Sequence, residues 1–230
     1  GAGLLLQNML GSFTASATQQ ATSGAYLQVH TPGSFNGEAL SIQKGVPRTD
    51  GTIEPYTYTG AKVTGWTLDC KQSDLLTLQL TFDAMDELTA GSSPASPDLA
   101  TPSWLNAPAF NFVQGTLLSG GTASTTSGVT SITSGTAVAS VQAVSLKGTT
   151  AVDGARYSIG SITKLEQLQN SWSSVTGSFD VEFTTRALYD QYRADENAAM
   201  QLTFTGPIIG STYPYLLDII LPQVWLEDGA

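Results

Sequence analysis

The chain predicts one large, mainly β domain with a single helix. Three observations carry that prediction. Leu76, Leu78, Leu80 and Phe82 alternate with Thr77, Gln79, Thr81 and Asp83, and Val175, Phe179, Val181 and Phe183 alternate with Thr176, Ser178, Asp180, Glu182 and Thr184. A period of two marks a strand with one buried and one wet face. Across 230 residues only 12% are charged while 41% are apolar, and Thr, Ser, Gly and Gln fill the remainder, as in β proteins with many turns. Only residues 185–200 carry a convincing helical pattern.

The stretch 56–83 organises the rest. Trp66, Leu68 and Cys70 alternate with Thr67 and Asp69, and Lys71, Gln72, Ser73 and Asp74 form a polar turn before the strand that ends at Asp83. This long hairpin, with its polar and mildly acidic face, is expected to carry function.

Residues 1–24 are rich in Gly, Ser, Thr, Ala and Gln, with apolar anchors at Leu4, Leu5, Leu6, Met9, Leu10 and Phe13. They read either as an N-terminal arm ordered against a neighbour or as an edge segment of the same subunit. The apolar run is too short for a signal or a membrane span and has no basic start. Residues 25–230 read as a single β domain. A strand is expected at 26–29, a Thr31-Pro32-Gly33 turn after it, a short segment at 39–43 and a loop at 44–55. Pro94, Pro97, Pro102 and Pro108 make 91–108 a crossover without strands. The uncharged Ser/Thr/Gly-rich segment 116–139 reads as strand ends bracketing a long exposed loop. Strands at 138–146 and 173–184 follow, with a loop at 148–156 between. Each clean strand follows a strand and a loop, which suggests a weak twofold repeat. The helix at 185–200 has Thr184 or Thr185 as cap, Leu188, Tyr189 and Tyr192 on one side, and Ala194, Ala198 and Ala199 as good formers. It is expected to seal one face of the sheet. Strands at 201–205 and 215–221 and a short acidic tail from Gln223 complete the chain.

Chemistry is sparse. Nine basic and nineteen acidic residues leave a net charge of −10, and no Lys/Arg run exists to neutralise phosphates, so a nucleic-acid grip is not expected. The lone Cys70 reads as an apolar filler. The lone His30 lacks a matched nucleophile, and no G-x-S-x-G elbow, phosphate loop or dinucleotide fingerprint is present. Asp83, Asp86 and Glu87 lack the Gly-centred loop of a calcium site. Asp180 and Glu182 share one strand, whereas a glycosidase pair must straddle a bond from different elements. No catalytic residue, metal ligand or cofactor is assigned. The four tryptophans, Trp66, Trp104, Trp172 and Trp225, are spread far apart, which suits packing better than a sugar platform.

Three stretches together resemble the tail tube proteins of long-tailed, siphovirus-type bacteriophages. They are YTGAKVTGWTL at 58–68 followed by LLTLQLTF at 75–82, VTGSFDVEF at 175–183 leading into Leu188-Tyr189-Asp190, and the close at 215–222 with Val224. The resemblance implies a β-sandwich flanked by one helix. It implies a structural, non-catalytic subunit whose six copies form a ring, with rings stacked into a tube. Long hairpins would join side by side into an inner β-barrel, and closure would remove their unpaired edges. Thr77, Gln79, Thr81, Asp83, Thr176, Ser178, Asp180 and Glu182 would then face the lumen. Their charges are negative or absent, so DNA and the tape-measure protein would pass without sticking. Tail terminator and tip proteins would be further partners, with no membrane and no cofactor, and the virion tail would be assembled in the host cytoplasm. Six copies would place about sixty negative charges on a ring. Leu5 and Phe13 in the arm, and Arg48 and Asp50 in the 44–55 loop, are expected to make inter-ring contacts. Two other readings stand beside this one. A virion-associated or secreted β-sandwich carbohydrate-binding module would be a stable monomer with aromatics on one face, and a β-scaffold hydrolase would depend on Glu182 or Asp180.

Overall fold

One strand of nineteen residues, β4 (Ile53–Lys71), is the spine of the molecule. The computed structural model describes residues 2–11, 14–103 and 108–227. In chain order the elements are α1 (Ala2–Leu10), β1 (Thr14–Gln19), β2 (Tyr26–Val29), β3 (Leu40–Pro47), β4, β5 (Thr77–Asp83), β6 (Asp86–Leu88), a 3₁₀ turn (Phe112–Gln114) and β7 (Gly115–Ser119). Then follow β8 (Thr122–Thr126), β9 (Val129–Thr133), β10 (Thr136–Ala137), β11 (Val141–Thr149), β12 (Ser174–Val181), α2 (Ala187–Ala194), β13 (Ala198–Gly210) and β14 (Tyr213–Val224).

At about 3.3 Å per residue β4 is roughly 60 Å long, and its two halves do different work. The first half lies between β3 and β6, with Ile53 opposite Pro47 and Thr57 opposite Leu88. The second half lies between β5 and β11, and β12 pairs outside β11. Between the halves, β11 stops at Gly65 and β3 resumes at Ala61. Buried side chains close this gap. Asn8 Oδ1 accepts from the Val63 amide at 2.8 Å, and the Thr150 hydroxyl donates to the Val63 carbonyl at 2.6 Å. An orphaned buried backbone group would otherwise cost about 1–3 kcal/mol.

A second antiparallel sheet runs β10-β7-β13-β14. The two sheets face each other as a sandwich. Leu68, Cys70 and Leu146 from the first meet Leu117, Leu202 and Phe204 from the second, with Trp66, Val144, Phe179, Leu217 and Ile219 packed around them.

Several expectations need correction. Of the two readings of the N-terminal segment, residues 2–11 and 14–24 fit the edge segment of the same subunit: α1 packs on β4 with Asn8 and Met9 buried, and β1 pairs with β2. The 44–55 loop shrinks to 48–52, because Lys44, Gly45 and Val46 pair with Tyr56, Pro55 and Glu54. A short strand, β6, precedes the Pro-rich crossover. Segment 116–139 is built of four short strands. Ser127 and Gly128 both have positive φ, 52° and 80°, and form the two-residue turn that suits the twist of a β-hairpin. The helix covers eight residues instead of 185–200. Arg186 stands at its N-cap, Asp195 ends it in the left-handed region at φ 53°, and none of its residues is buried. It therefore seals no face. Ala198 and Ala199 go into β13, where sheet pairing overrides alanine's helix preference. Among the described residues no helix is long and apolar enough to cross a membrane.

Candidate functional site

The second half of β4 sits in a four-stranded patch, β5-β4-β11-β12, and cross-strand register assigns its two faces. Residues directly opposite each other point the same way. Trp66 and Leu68 on β4 stand opposite Leu80 and Leu78 on β5 and opposite Gly148 and Leu146 on β11. Leu146 in turn stands opposite Gly177. This face meets the second sheet.

The other face is polar throughout. One row across the strands is Thr77, Asp69, Ser145, Ser178; the next is Gln79, Thr67, Lys147, Thr176; the third is Thr81, Gly65, Thr149, Ser174. Lys71, Ala143 and Asp180 form a shorter row at the β4–β5 turn. Six residues expected from the alternation, Thr77, Gln79, Thr81, Thr176, Ser178 and Asp180, therefore lie on one continuous surface. Asp69, Lys71, Ser145 and Lys147 share it and were not anticipated. Their signal was present in β4 and β11, but only the register shows which of their residues join the face.

Glu182 lies one residue beyond β12, exposed, and accepts from Gln142 Nε2 at 3.2 Å. Asp83 is committed elsewhere. It pairs with Lys164 and accepts from Gln167 Nε2 at 3.0 Å. Asp83 holds the Lys164 ammonium above its usual range. These contacts belong to a strap, residues 150–173, that links β11 to β12 and crosses the polar side at the end of the patch. Lys62, opposite Asp83, anchors it by donating to Glu166 Oε1 at 2.7 Å, to the Gln167 carbonyl at 2.8 Å and to the Phe35 carbonyl at 2.5 Å.

Both lateral edges of the patch are open among the described residues. β5 pairs only with β4, and β12 only with β11. Each edge carries a partly exposed apolar side chain on the sandwich side, Leu78 at 37% and Val175 at 49%.

Of the inter-ring candidates, Leu5 is exposed on α1 and Phe13 lies outside the described residues. Arg48 and Asp50 sit in the β3–β4 turn, with Arg48 3.7 Å from both Asp50 and Glu54. The Thr52 hydroxyl, then its amide, hydrogen-bond to Asp50 and hold that carboxyl below its ordinary range.

Among the described residues, neither the lone thiol nor the lone imidazole is set up for reaction. Burial, then the charge of Asp74, pushes the Cys70 thiol up, away from thiolate chemistry. Burial lowers the His30 imidazole, and neither ring nitrogen has a partner among the described residues. Among those residues no group of three or more His, Cys, Asp or Glu side chains is placed to hold a metal.

The model of a family described as phage tail tube protein matches residues 1–222. The chain belongs to the phage tail tube family. No curated protein matches it. Tail tube proteins are structural, and membership places this chain in the tail of the virion.

Proposed function

We propose that this tail tube protein is a major tube subunit, that six copies close into a ring, and that stacked rings form the conduit for DNA delivery. The observation that carries this reading is the four-stranded patch: one face wet, one face apolar, both lateral edges open. Its strands alternate in direction, so β5 and β12 run antiparallel to each other. A copy placed beside another can therefore continue the sheet from β12 to the next β5 without breaking the alternation. Exposed edges are otherwise an aggregation hazard, and closure removes them. Six copies give about 24 strands, beyond the 16–18 at which a barrel already encloses an aqueous channel. With strands about 4.8 Å apart and tilted about 40°, the backbone diameter is roughly 50 Å. The polar rows then face the bore, and DNA and the tape-measure protein pass over Thr, Ser and Gln. Tail terminator and tip proteins would meet the tube at its ends. The β3–β4 turn, with Arg48 and Asp50, overhangs the patch by about nine residues, roughly 30 Å, which suits a contact with an adjacent ring. Leu5 on exposed α1 is the second such contact.

The carbohydrate-binding alternative has less support. Trp66 packs against the core, and the exposed Trp172 and Trp225 flank strands of different sheets.

Negative-stain electron microscopy at rising protein concentration tests the reading. Wild-type protein should give rings or hollow tubes, and Val175→Asp, on the open β12 edge, should keep its fold but stay monomeric. Wild-type monomers at every concentration, or normal rings from Val175→Asp, would count against closure through these edges.

A further inference from the structure

The strap between β11 and β12 has a narrow, double-backed tip. The Leu165 amide donates to the Arg156 carbonyl at 2.8 Å, and the Ser161 amide to the Ser158 carbonyl at 3.2 Å. Between them, Ile159 and Ile162 are almost wholly exposed and Tyr157 is more than half exposed. Two isoleucines held in water at a turn are unusual, since exposed apolar clusters mark contact surfaces. The stem is firmly held. Buried Lys62 takes the Glu166 carboxylate, Lys164 takes Asp83, and the Lys164 amide donates to the Met85 carbonyl at 3.2 Å.

A second apolar group lies at the other end of the same patch. Val113 is 87% exposed, Phe183 77% and Leu75 56%. They belong together by backbone pairing at the β4–β5 turn. Leu75 bridges to Asn111, the Phe112 amide donates to the Asp74 carbonyl at 3.0 Å, and the Glu182 amide donates to the Ser140 carbonyl just before β11. An open concavity of about 510 Å³, lined by Asp69, Lys71, Asp74, Leu75 and Thr77, sits beside them. The two groups are separated along β4 by nine residues, about 30 Å.

We propose that the strap tip of one copy docks on this turn end of a second copy in the next ring, and that Ile159 and Ile162 seat against Val113 and Leu75. The inference rests on the tube reading above. Tip and turn end lie at opposite ends of one patch, so a copy cannot satisfy itself, and a copy displaced along the strand direction brings them together. Such head-to-tail contact, repeated, is what makes an open filament. Charge agrees with the pairing. Residues 155–165 hold Arg156 and Lys164 and no carboxylate. Lys164 is neutralised by Asp83, whereas Arg156, which hydrogen-bonds the Glu166 backbone carbonyl, shares the single Glu166 carboxylate with Lys62, which leaves a positive charge in excess. The turn end sets Asp69, Asp74, Asp180 and Glu182 against Lys71. Positive tip and negative rim complement each other.

The test uses full-length Ile159→Asp/Ile162→Asp and, separately, Val113→Lys, with wild type alongside. All three changed side chains are exposed, and thermal unfolding checks that each variant is folded. Electron microscopy should show rings from both variants and loss of stacking, while wild type gives tubes. Tubes of wild-type length from both variants overturn this inference alone and mean that the tip faces another protein or solvent. Wild type without rings or tubes at any concentration overturns the tube reading and this inference with it.

Discussion

Lys62 is almost inaccessible, at 1% exposure, yet its ammonium meets the Glu166 carboxylate and two backbone carbonyls. A buried charge is tolerated only when so surrounded. Replacing it with Met leaves those two carbonyls without this donor and the carboxylate with only the Gly37 amide. Lys62→Met is expected to destabilise the monomer, by about 1–3 kcal/mol for each buried carbonyl left unpaired, read by urea denaturation. The same pair sets a pH dependence. The Lys62 hydrogen bond, followed by the Gly37 amide, holds Glu166 below its ordinary 4.5. A carboxyl lowered by folding contributes stability above the unfolded value and loses it as pH falls through the folded one. Stability should therefore decline from about pH 4.5 downward, and Glu166→Gln should start lower at pH 7 and flatten that decline. An identical slope in Glu166→Gln would remove Glu166 from the account. None of this was legible in the sequence. Lys62 and Glu166 are 104 residues apart, and local periodicity carries no information about a partner so distant.

At the scale of elements, the alternating strands were legible because a half-buried sheet writes its two faces into alternate residues. β5, β12 and the second half of β4 appear where the pattern placed them. What failed was choice between local preferences. The Ala-rich run after residue 194 favours helix in isolation, but Ala199 and Met200 are buried in β13, and pairing decided the outcome. Ser127-Gly128 was a hairpin signal lost inside a low-complexity stretch. The patch also depends on two glycines whose role only register reveals. Gly148 stands opposite Trp66, and a Cβ there would lie 2.1 Å from the indole ring; at Gly177 it would lie 2.7 Å from a Leu146 methyl. The large side chains lie across the next strand because nothing stands there. Gly148→Val forces Trp66 out of the core, and overpacking of this kind costs about 1–3 kcal/mol. Thermal or urea unfolding should show that loss, and unchanged stability would mean that Trp66 can move at no cost.

For the whole molecule, the surface expected to face a bore was legible in outline, since six of its eight proposed residues share one face. Its charge was not. The two clean strands supplied only Asp180, with Glu182 at the margin and Asp83 tied to Lys164. β4 and β11 add Asp69, Lys71 and Lys147, so carboxylates and ammoniums nearly balance on the face. Repulsion of a polyanion is then a small margin, and reversing it takes few substitutions. Asp180→Lys with Glu182→Lys shifts each copy by about four charges, roughly 24 on a ring of six. Both side chains are exposed, so the subunit fold should stay near wild type; because they also rim the turn end, tube length is measured alongside and release is compared between particles of equal tail length. DNA should leave particles built from this variant more slowly at low ionic strength. The delay should shrink as salt is raised, because the screening length falls from about 30 Å at 0.01 M to about 3 Å at 1 M, and phosphate contacts weaken steeply over the same range. The measurement is the rate of DNA release at two salt concentrations. A slow phase that salt relieves would place these residues along the path of the DNA, whereas wild-type release at low salt would take Asp180 and Glu182 out of the bore.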